Sequence, residues 1–307
     1  MTYLAFDMGG TNIKYAVVTG EGEFLTKGKF PSPQDSFEEL VQAIGEVHRR
    51  LATEYSFHGI ALSVPGAPNN ETGVIVGDSA LSYLHGPNVL KALFEETGLP
   101  VFAENDAKSA ALGEVWKGAA KDVNHALFLI IGTGIGGAIV INRQLYQGKH
   151  LLAGEYGYMI LHSDFQKKEF RTLSAIGSTG ALVRDVAKRK DLSYEQLSGE
   201  AIFEYAKSGD KDCIEAIDTF YENIATALFT LLYTFDPEKI IIGGAISSRP
   251  DLLDRIHEKF QIITDTIQPV LKDTTPPIVR CMFEGDANLL GAVYNYKLKA
   301  LEKGLYI

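Results

Sequence analysis

Short apolar runs alternating with longer segments of helical period make this chain read as mixed α/β. Residues 3–6 form an apolar strand, Gly9 and Gly10 a turn, and 13–18 a second strand. After Gly20, Glu21 and Gly22 a third strand covers 23–30, so the chain opens as a β-meander. From 36 to 53, Phe37, Leu40, Val41, Ile44, Val47 and Leu51 recur at helical spacing, with Ser36 as N-cap and Glu39 three residues on. A strand at 60–64 ends in Pro65 and Gly66. A helix at 88–97 closes on Gly98, and a strand at 100–103 runs into a helix from 106 to about 116.

Near Gly118 the pattern restarts. An apolar strand at 125–131, a glycine turn, a strand at 138–141 and a short strand at 144–147 repeat the layout of the first 30 residues. The repeat reads as a degenerate duplication, marking a second domain with the same core, although two unrelated hairpins would look alike. Beyond Ser174 the chain is mostly helical (180–188, 198–208, 212–235, 250–266), with strands at 239–242 and 278–282 and a terminal helix at 289–301.

Composition narrows the function classes. The chain has 307 residues and a formal net charge of −10, which disfavours nucleic acid and anionic membranes as partners. Its two cysteines, Cys213 and Cys281, lie far apart and read as packing residues in a reducing, cytoplasmic protein. The first residues lack the pattern of a signal peptide, and no apolar run is long enough to span a bilayer. Trp116, ending an apolar helix, reads as core.

Five places carry candidate chemistry. Asp7, Gly9, Gly10 and Thr11 combine a carboxylate able to hold hydrated Mg²⁺ with glycines that admit an anion to backbone N–H groups, although a plain hairpin turn also fits. Gly132, Gly134 and Gly137 match G-x-G-x-x-G, but a β-branched run follows instead of a helix, so the dinucleotide-binding context fails and a second phosphate-binding hairpin is the better account. Two such hairpins imply a nucleotide held in a cleft between domains. Asn105 is placed to cap the helix after 103, with Asp106 in its first turn; routine capping explains both, but a carboxylate kept ionised there can also accept a proton from a substrate hydroxyl. Glu155, between Gly154 and the Tyr156, Gly157, Tyr158 run, is a solvated loop carboxylate or can reach sugar hydroxyls. Gly243 and Gly244 leave room for a flat adenine or make a tight turn.

In this order the motifs resemble the ROK family of bacterial sugar kinases and repressors, within the actin/hexokinase-like superfamily. The likeness runs from Leu4 to the terminal helix. It implies a two-domain, ribonuclease H-like α/β fold with an interdomain cleft. The N-terminal lobe would be 1–118, completed by the terminal helix 289–307, and the larger C-terminal lobe 119–288. It implies that Asp7, Gly9, Gly10, Thr11 and Lys14 line one phosphate turn, and Gly132, Thr133, Gly134, Gly136 and Gly137 the other. Asn105 and the backbone of Gly66 would bind the sugar, Glu155 its anomeric end, and Gly243 and Gly244 the adenosine, with Asp106 as catalytic base. ATP and Mg²⁺ are the implied cofactors, a homodimer the implied assembly.

Two departures shape the substrate expectation. Tyr158 stands where most family kinases carry a histidine, and residues 169–178 lack the cysteines that hold zinc, so no zinc is expected. Counting back from Gly180, Ala181 and Leu182, Ser174 takes the place of a second sugar-binding glutamate. The weakened grip suggests an opened pocket that admits an aglycone. The expected reaction is transfer to the C6 hydroxyl of a β-glucoside such as cellobiose, or of glucose. N-acetylmannosamine kinase is the alternative, and a non-catalytic ROK sugar sensor or transcription regulator the alternative of another class; the regulator is disfavoured because the first hairpin begins at residue 4, leaving no space before it for a helix-turn-helix, and because of the acidic charge, and the sensor because Asp106 and both glycine turns are present.

Overall fold

The computed structural model describes residues 1–34, 36–77, 79–267 and 275–305. The chain divides into two units, Met1–Lys121 with Gly285–Ile307, and Asp122–Glu284.

In the first unit the opening meander is β1 (Thr2–Met8), β2 (Asn12–Thr19) and β3 (Phe24–Pro31), paired antiparallel. A parallel partner needs a crossover, and α1 (Phe37–Leu51) supplies one before β4 (Phe57–Val64) joins β1. α1 buries Leu40, Ile44 and Val47, and the Ser36 side chain accepts from the Glu39 N–H, fixing its start. Residues between β4 and the next helix form a small hairpin, β5 (Ala67–Pro68) with β6 (Ile75–Val76). α2 (Val89–Thr97) ends on Gly98 in the left-handed region and leads to β7 (Val101–Asn105), parallel to β4. The sheet order is β3-β2-β1-β4-β7. Its core is built on Leu4, Phe6, Ile44 and Leu62.

α3 (Asp106–Lys117) follows β7 directly and is buried from Ala107 to Val115 on every side. The cover comes from the far end of the chain, α9 (Ala287–Glu302). The two helices approach so closely that a side chain at Gly113 or Gly291 would overlap the other's backbone. Trp116, expected in the core, is only half-buried, because it lies at the end of this contact, stacked on Tyr294 at 5.3 Å.

The second unit repeats the first sheet in order and sense. β8 (Ala126–Ile131), β9 (Ile135–Ile141) and β10 (Gln144–Leu145) are antiparallel, then β13 (Lys239–Gly243) and β14 (Ile278–Arg280) add in parallel, giving β10-β9-β8-β13-β14. Between β10 and β13 come a hairpin, β11 (Ile160–Asp164) with β12 (Glu169–Thr172), and four helices, α4 (Leu173–Gly177), α5 (Thr179–Arg189), α6 (Gly199–Lys207) and α7 (Lys211–Phe235). α8 (Leu252–Ile267) lies between β13 and β14. Leu129, Phe220, Leu228 and Ile242 belong to this unit's core. Both cysteines are buried and outside any disulfide, and burial pushes the Cys213 thiol up to about 11.

Candidate functional site

The first turn is shaped by what holds its carbonyls. Ser32 Oγ donates to Gly9 O (2.6 Å), Gln34 Nε2 to Gly10 O (3.3 Å) and the Ser32 N–H to Thr11 O (3.0 Å). The N–H groups of Gly10 and Thr11 have no acceptor among the described residues. They are exposed donors on a fixed turn, the arrangement that receives an anion. Behind it, Asp7 Oδ1 accepts from Ser63 Oγ (2.8 Å) and Asn288 Nδ2 (2.9 Å), while Oδ2 lies 3.9 Å from Lys14 Nζ. One carboxylate oxygen is thus oriented by two donors and the other lies near a cation. Ser32, Ser63 and Asn288 went unrecognised in the sequence, since each acts from a distant stretch of chain and none sits in a motif.

In the same unit β7 delivers Asn105 to the α3 N-terminus. Its Oδ1 accepts from the Lys108 N–H (3.2 Å), and its Nδ2 donates to Gly66 O (2.9 Å). Gly66 has φ +87°, and a side chain there would meet Val76 O and the His85 ring. His85 is held in turn by Ser79 Oγ at 2.8 Å. Asp106 is exposed, with Oδ1 accepting from the Ala107 N–H at 2.8 Å, whereas its neighbours Glu104 and Lys108 are buried. Of the carboxylates at this strand-to-helix junction, Asp106 is the one that meets solvent.

The second unit carries the other turn. Gly132 N–H donates to Gly134 O (2.9 Å), and Gly132 O accepts both the Thr179 N–H (2.9 Å) and Thr179 Oγ1 (2.6 Å). On the opposite side, Ser174 Oγ accepts from the Ile135 N–H (3.1 Å). α4 and α5 therefore clamp the turn, leaving Thr133 and Gly134 exposed with N–H groups that have no acceptor among the described residues. Gly136 and Gly137 are not part of it. β9 begins at Ile135, and these two pair with Ile130 and Leu129. Gly137 is small for a packing reason: the Tyr156 ring occupies the space a side chain would need. Tyr156 is 4% exposed, and burial raises its hydroxyl pKa.

Glu155 is half-buried and starts the short 3₁₀ turn Tyr156–Tyr158, while Tyr158 is 78% exposed. Ser174 sits behind this turn, close to where a Gly157 side chain would project. Gly243 and Gly244 leave no open slot. Cys281 and Ile130 fill the space beside Gly243, and Gly244 (φ +91°) lies against the Ile131 backbone. The residues just after them, Ala245 and Ile246, line a cavity of about 270 Å³ together with Thr133, Thr179, Phe203 and Arg249. Arg249 stacks on Phe203 at 3.5 Å. This cavity adjoins the second turn through Thr133 and combines apolar side chains (Leu182, Val183, Phe203, Ile246) with polar ones (Ser198, Glu200, Arg249), a mixture that suits a heterocycle.

Among the described residues, no three His, Cys, Asp or Glu side chains cluster to hold a metal ion, and no helix is long and apolar enough to cross a membrane.

The comparisons agree with one another. The beta-glucoside kinase of Listeria monocytogenes is 37% identical over 299 residues, 96% of this chain and 97% of that one. A ROK family protein from Streptococcus pneumoniae solved with sucrose superposes with TM-score 0.87 and 36% identity, covering 98% of this chain and all of the other. A ROK family glucokinase from Streptomyces griseus, solved with glucose and AMPPNP, gives 0.78 at 25% identity over 95% and 98% of the two chains. These neighbours carry the two-domain actin-like fold. The ROK family model matches residues 3–297, and the chain belongs to the ROK family.

Proposed function

We propose that this protein is an ATP-dependent sugar kinase that phosphorylates the C6 hydroxyl of a β-glucoside such as cellobiose, or of glucose. The observation that carries the reading is the exposed Asp106 carboxylate at the N-terminus of α3, beside an Asn105 whose amide is locked to Gly66. The likeness to a beta-glucoside kinase at near full length supports the acceptor class.

Asp106 accepts the proton of the sugar hydroxyl as its oxygen attacks the γ-phosphorus and ADP departs. The N-terminal dipole of α3 favours the anionic form that this role needs. Asn105 and the Gly66 backbone orient the sugar, and Glu155 binds toward its anomeric end. The N–H groups of Gly10, Thr11, Thr133 and Gly134 offset phosphate charge as it moves onto the leaving group. The 270 Å³ cavity takes the adenosine. Asp7, oriented through Oδ1 and with Oδ2 3.9 Å from Lys14 Nζ, would hold Mg²⁺ through water, and the ion would neutralise charge on the phosphates. Gly9 completes the first turn by its backbone. We place the enzyme in the cytoplasm as a homodimer.

Asp106→Asn keeps the hydrogen-bonding shape and removes the base. A coupled ATP-consumption assay is expected to show a loss of about 10²-fold or more with an unchanged circular dichroism spectrum. Near-normal turnover removes Asp106 from the role. In the wild-type panel, faster turnover of N-acetylmannosamine than of cellobiose or glucose overturns the acceptor assignment.

A further inference from the structure

A second cavity in the Asp122–Glu284 unit has no part in the reaction above. It measures about 650 Å³, is open to solvent, and is lined by α4, α5, α7 and the β11–β12 hairpin. Its floor is apolar, from Ile176, Ala181 and Phe220. Its cationic lining is Arg171, Arg184, Lys188 and Arg189, with a single carboxylate, Asp185, and His162 beside them.

The charges are not balanced locally. Arg189 is committed to Asp185 (3.1 Å) and Glu215 (3.0 Å), so the one carboxylate of the lining is already neutralised. Arg171, Arg184 and Lys188 have no carboxylate within 4.0 Å among the described residues. Three uncompensated cations around one concavity repel one another, and an anion bound among them relieves that repulsion. The protein as a whole is acidic, with net charge −10, so the patch stands against the overall field. A concave shape over an apolar floor favours a small ligand with an apolar body and a concentrated charge, rather than an extended polyanion.

We propose that this cavity binds a phosphate monoester of a small polyol, with the phosphate held by Arg171, Arg184 and Lys188 and the carbon skeleton against Ile176 and Phe220. Guanidinium groups suit this task because they donate paired hydrogen bonds to phosphate oxygens. The product class of the proposed kinase reaction has this chemistry, so naming the ester as a sugar phosphate rests on that reading; the anion site does not.

The location gives the ligand a route to the nucleotide turn. α5 carries Arg184 and Lys188 on this cavity and, at its start, Thr179, which holds Gly132 O. α4 carries Ile176 here and Ser174, which holds the Ile135 N–H. Asn223 of α7, also in the lining, donates to Ile176 O at 2.9 Å. A ligand that tightens α4 and α5 therefore acts on both clamps of the phosphate turn.

The test is titration calorimetry of the full chain with glucose 6-phosphate at low salt, in saturating cellobiose so that any sugar site is filled, repeated on an Arg171→Gln/Lys188→Gln double variant. Inorganic phosphate and a short oligonucleotide are run alongside. The expected result is saturable binding of glucose 6-phosphate, weakened at least tenfold in the double variant, with slower amide exchange in α4 and α5 of the wild type when the ester is bound. The variant's KM for ATP without ester is expected to be unchanged. Absence of binding, equal binding by the double variant, or binding of the oligonucleotide alone each overturns the site. Should the wild type consume no ATP with any sugar of the panel while the ester still binds, the kinase reading fails and the anion site stands.

Discussion

Asn105 does two separable jobs, so its substitutions test the architecture of the candidate sugar site more finely than removal of the base. Its Oδ1 caps α3 through the Lys108 N–H, and its Nδ2 secures Gly66 O across 39 residues of chain. Replacing a capping Asn by Ala costs about 1 kcal/mol. Leaving a partly buried carbonyl without its donor costs about 1 kcal/mol more. Asn105→Ala is therefore expected to lose about 2 kcal/mol in urea unfolding followed by far-ultraviolet circular dichroism. Asn105→Asp keeps the capping oxygen but sets a carboxylate against Gly66 O, so it retains the helix start and releases the Gly66 turn. Its stability loss is expected to be about half that of Ala, while its KM for cellobiose rises as much or more. The two variants thus order differently in stability and in sugar affinity. Equal destabilisation by Ala and Asp, or an Ala variant within about 0.5 kcal/mol of wild type, refutes the division of labour.

Other expectations follow from single contacts. Gly137→Ala forces a methyl toward the buried Tyr156 ring and to 2.6 Å from Phe128 O, so it should cost about 1–3 kcal/mol by overpacking and raise the sugar KM through Glu155, the neighbour of Tyr156; a silent substitution contradicts the packing account. Ser174→Ala removes the acceptor of the Ile135 N–H, about 1 kcal/mol, and should raise the KM for ATP roughly fivefold while leaving that for sugar nearly unchanged; the reverse split assigns Ser174 to the sugar instead. The hydrogen bond from Lys190 and the Cys213 N–H hold the Asp210 carboxyl below the usual range. A depressed carboxyl contributes stability that is complete above its unfolded value of about 4 and fades as pH falls through the folded one. Thermal melts of wild type and Asp210→Asn should therefore be separated at pH 7 and converge as the pH approaches 3; a constant gap argues against the charge as the cause.

What the chain reveals of this fold depends on how local each signal is. α1 declares itself because Leu40, Ile44 and Val47 repeat at helical spacing and Ser36 sits one residue before it. The two meanders are legible because each is three strands joined by short turns. The small hairpins β5–β6 and β11–β12 are not, since strands of two to five residues with mixed burial carry too few positions to show a period. α3 is harder still. Its Ala and Gly faces give little apolar contrast, and the partner that buries them, α9, arrives from the other end of the chain. The same distance rule governs the candidate site. Asp7 and the glycines beside it are a motif, but the groups that aim Asp7, Ser63 and Asn288, lie 56 and 281 residues away. Asn105 is readable as a cap, whereas its hold on Gly66 is not.

Glycine is where local reading goes furthest astray, and the reason is physical. A missing side chain can mean a free N–H facing a ligand, a positive φ, or a neighbour already in the space, and the letter is the same in each case. Gly134, exposed on a clamped turn, is proposed to be of the first kind; Gly66 belongs to the second, Gly137 and Gly243 to the third. What separates them is the other half of the contact. A turn that receives an anion needs its own carbonyls satisfied from outside, so that its N–H groups remain free. Both turns here meet that requirement with hydroxyl side chains, Ser32 on Gly9 O and Thr179 on Gly132 O. The two clamps occupy different places in the chain and different elements, although the sheets they serve share one strand order. The repeated sheet accounts for where the turns stand; the side chains that free their donors arise separately in each half, and it is those contacts that make the glycines usable.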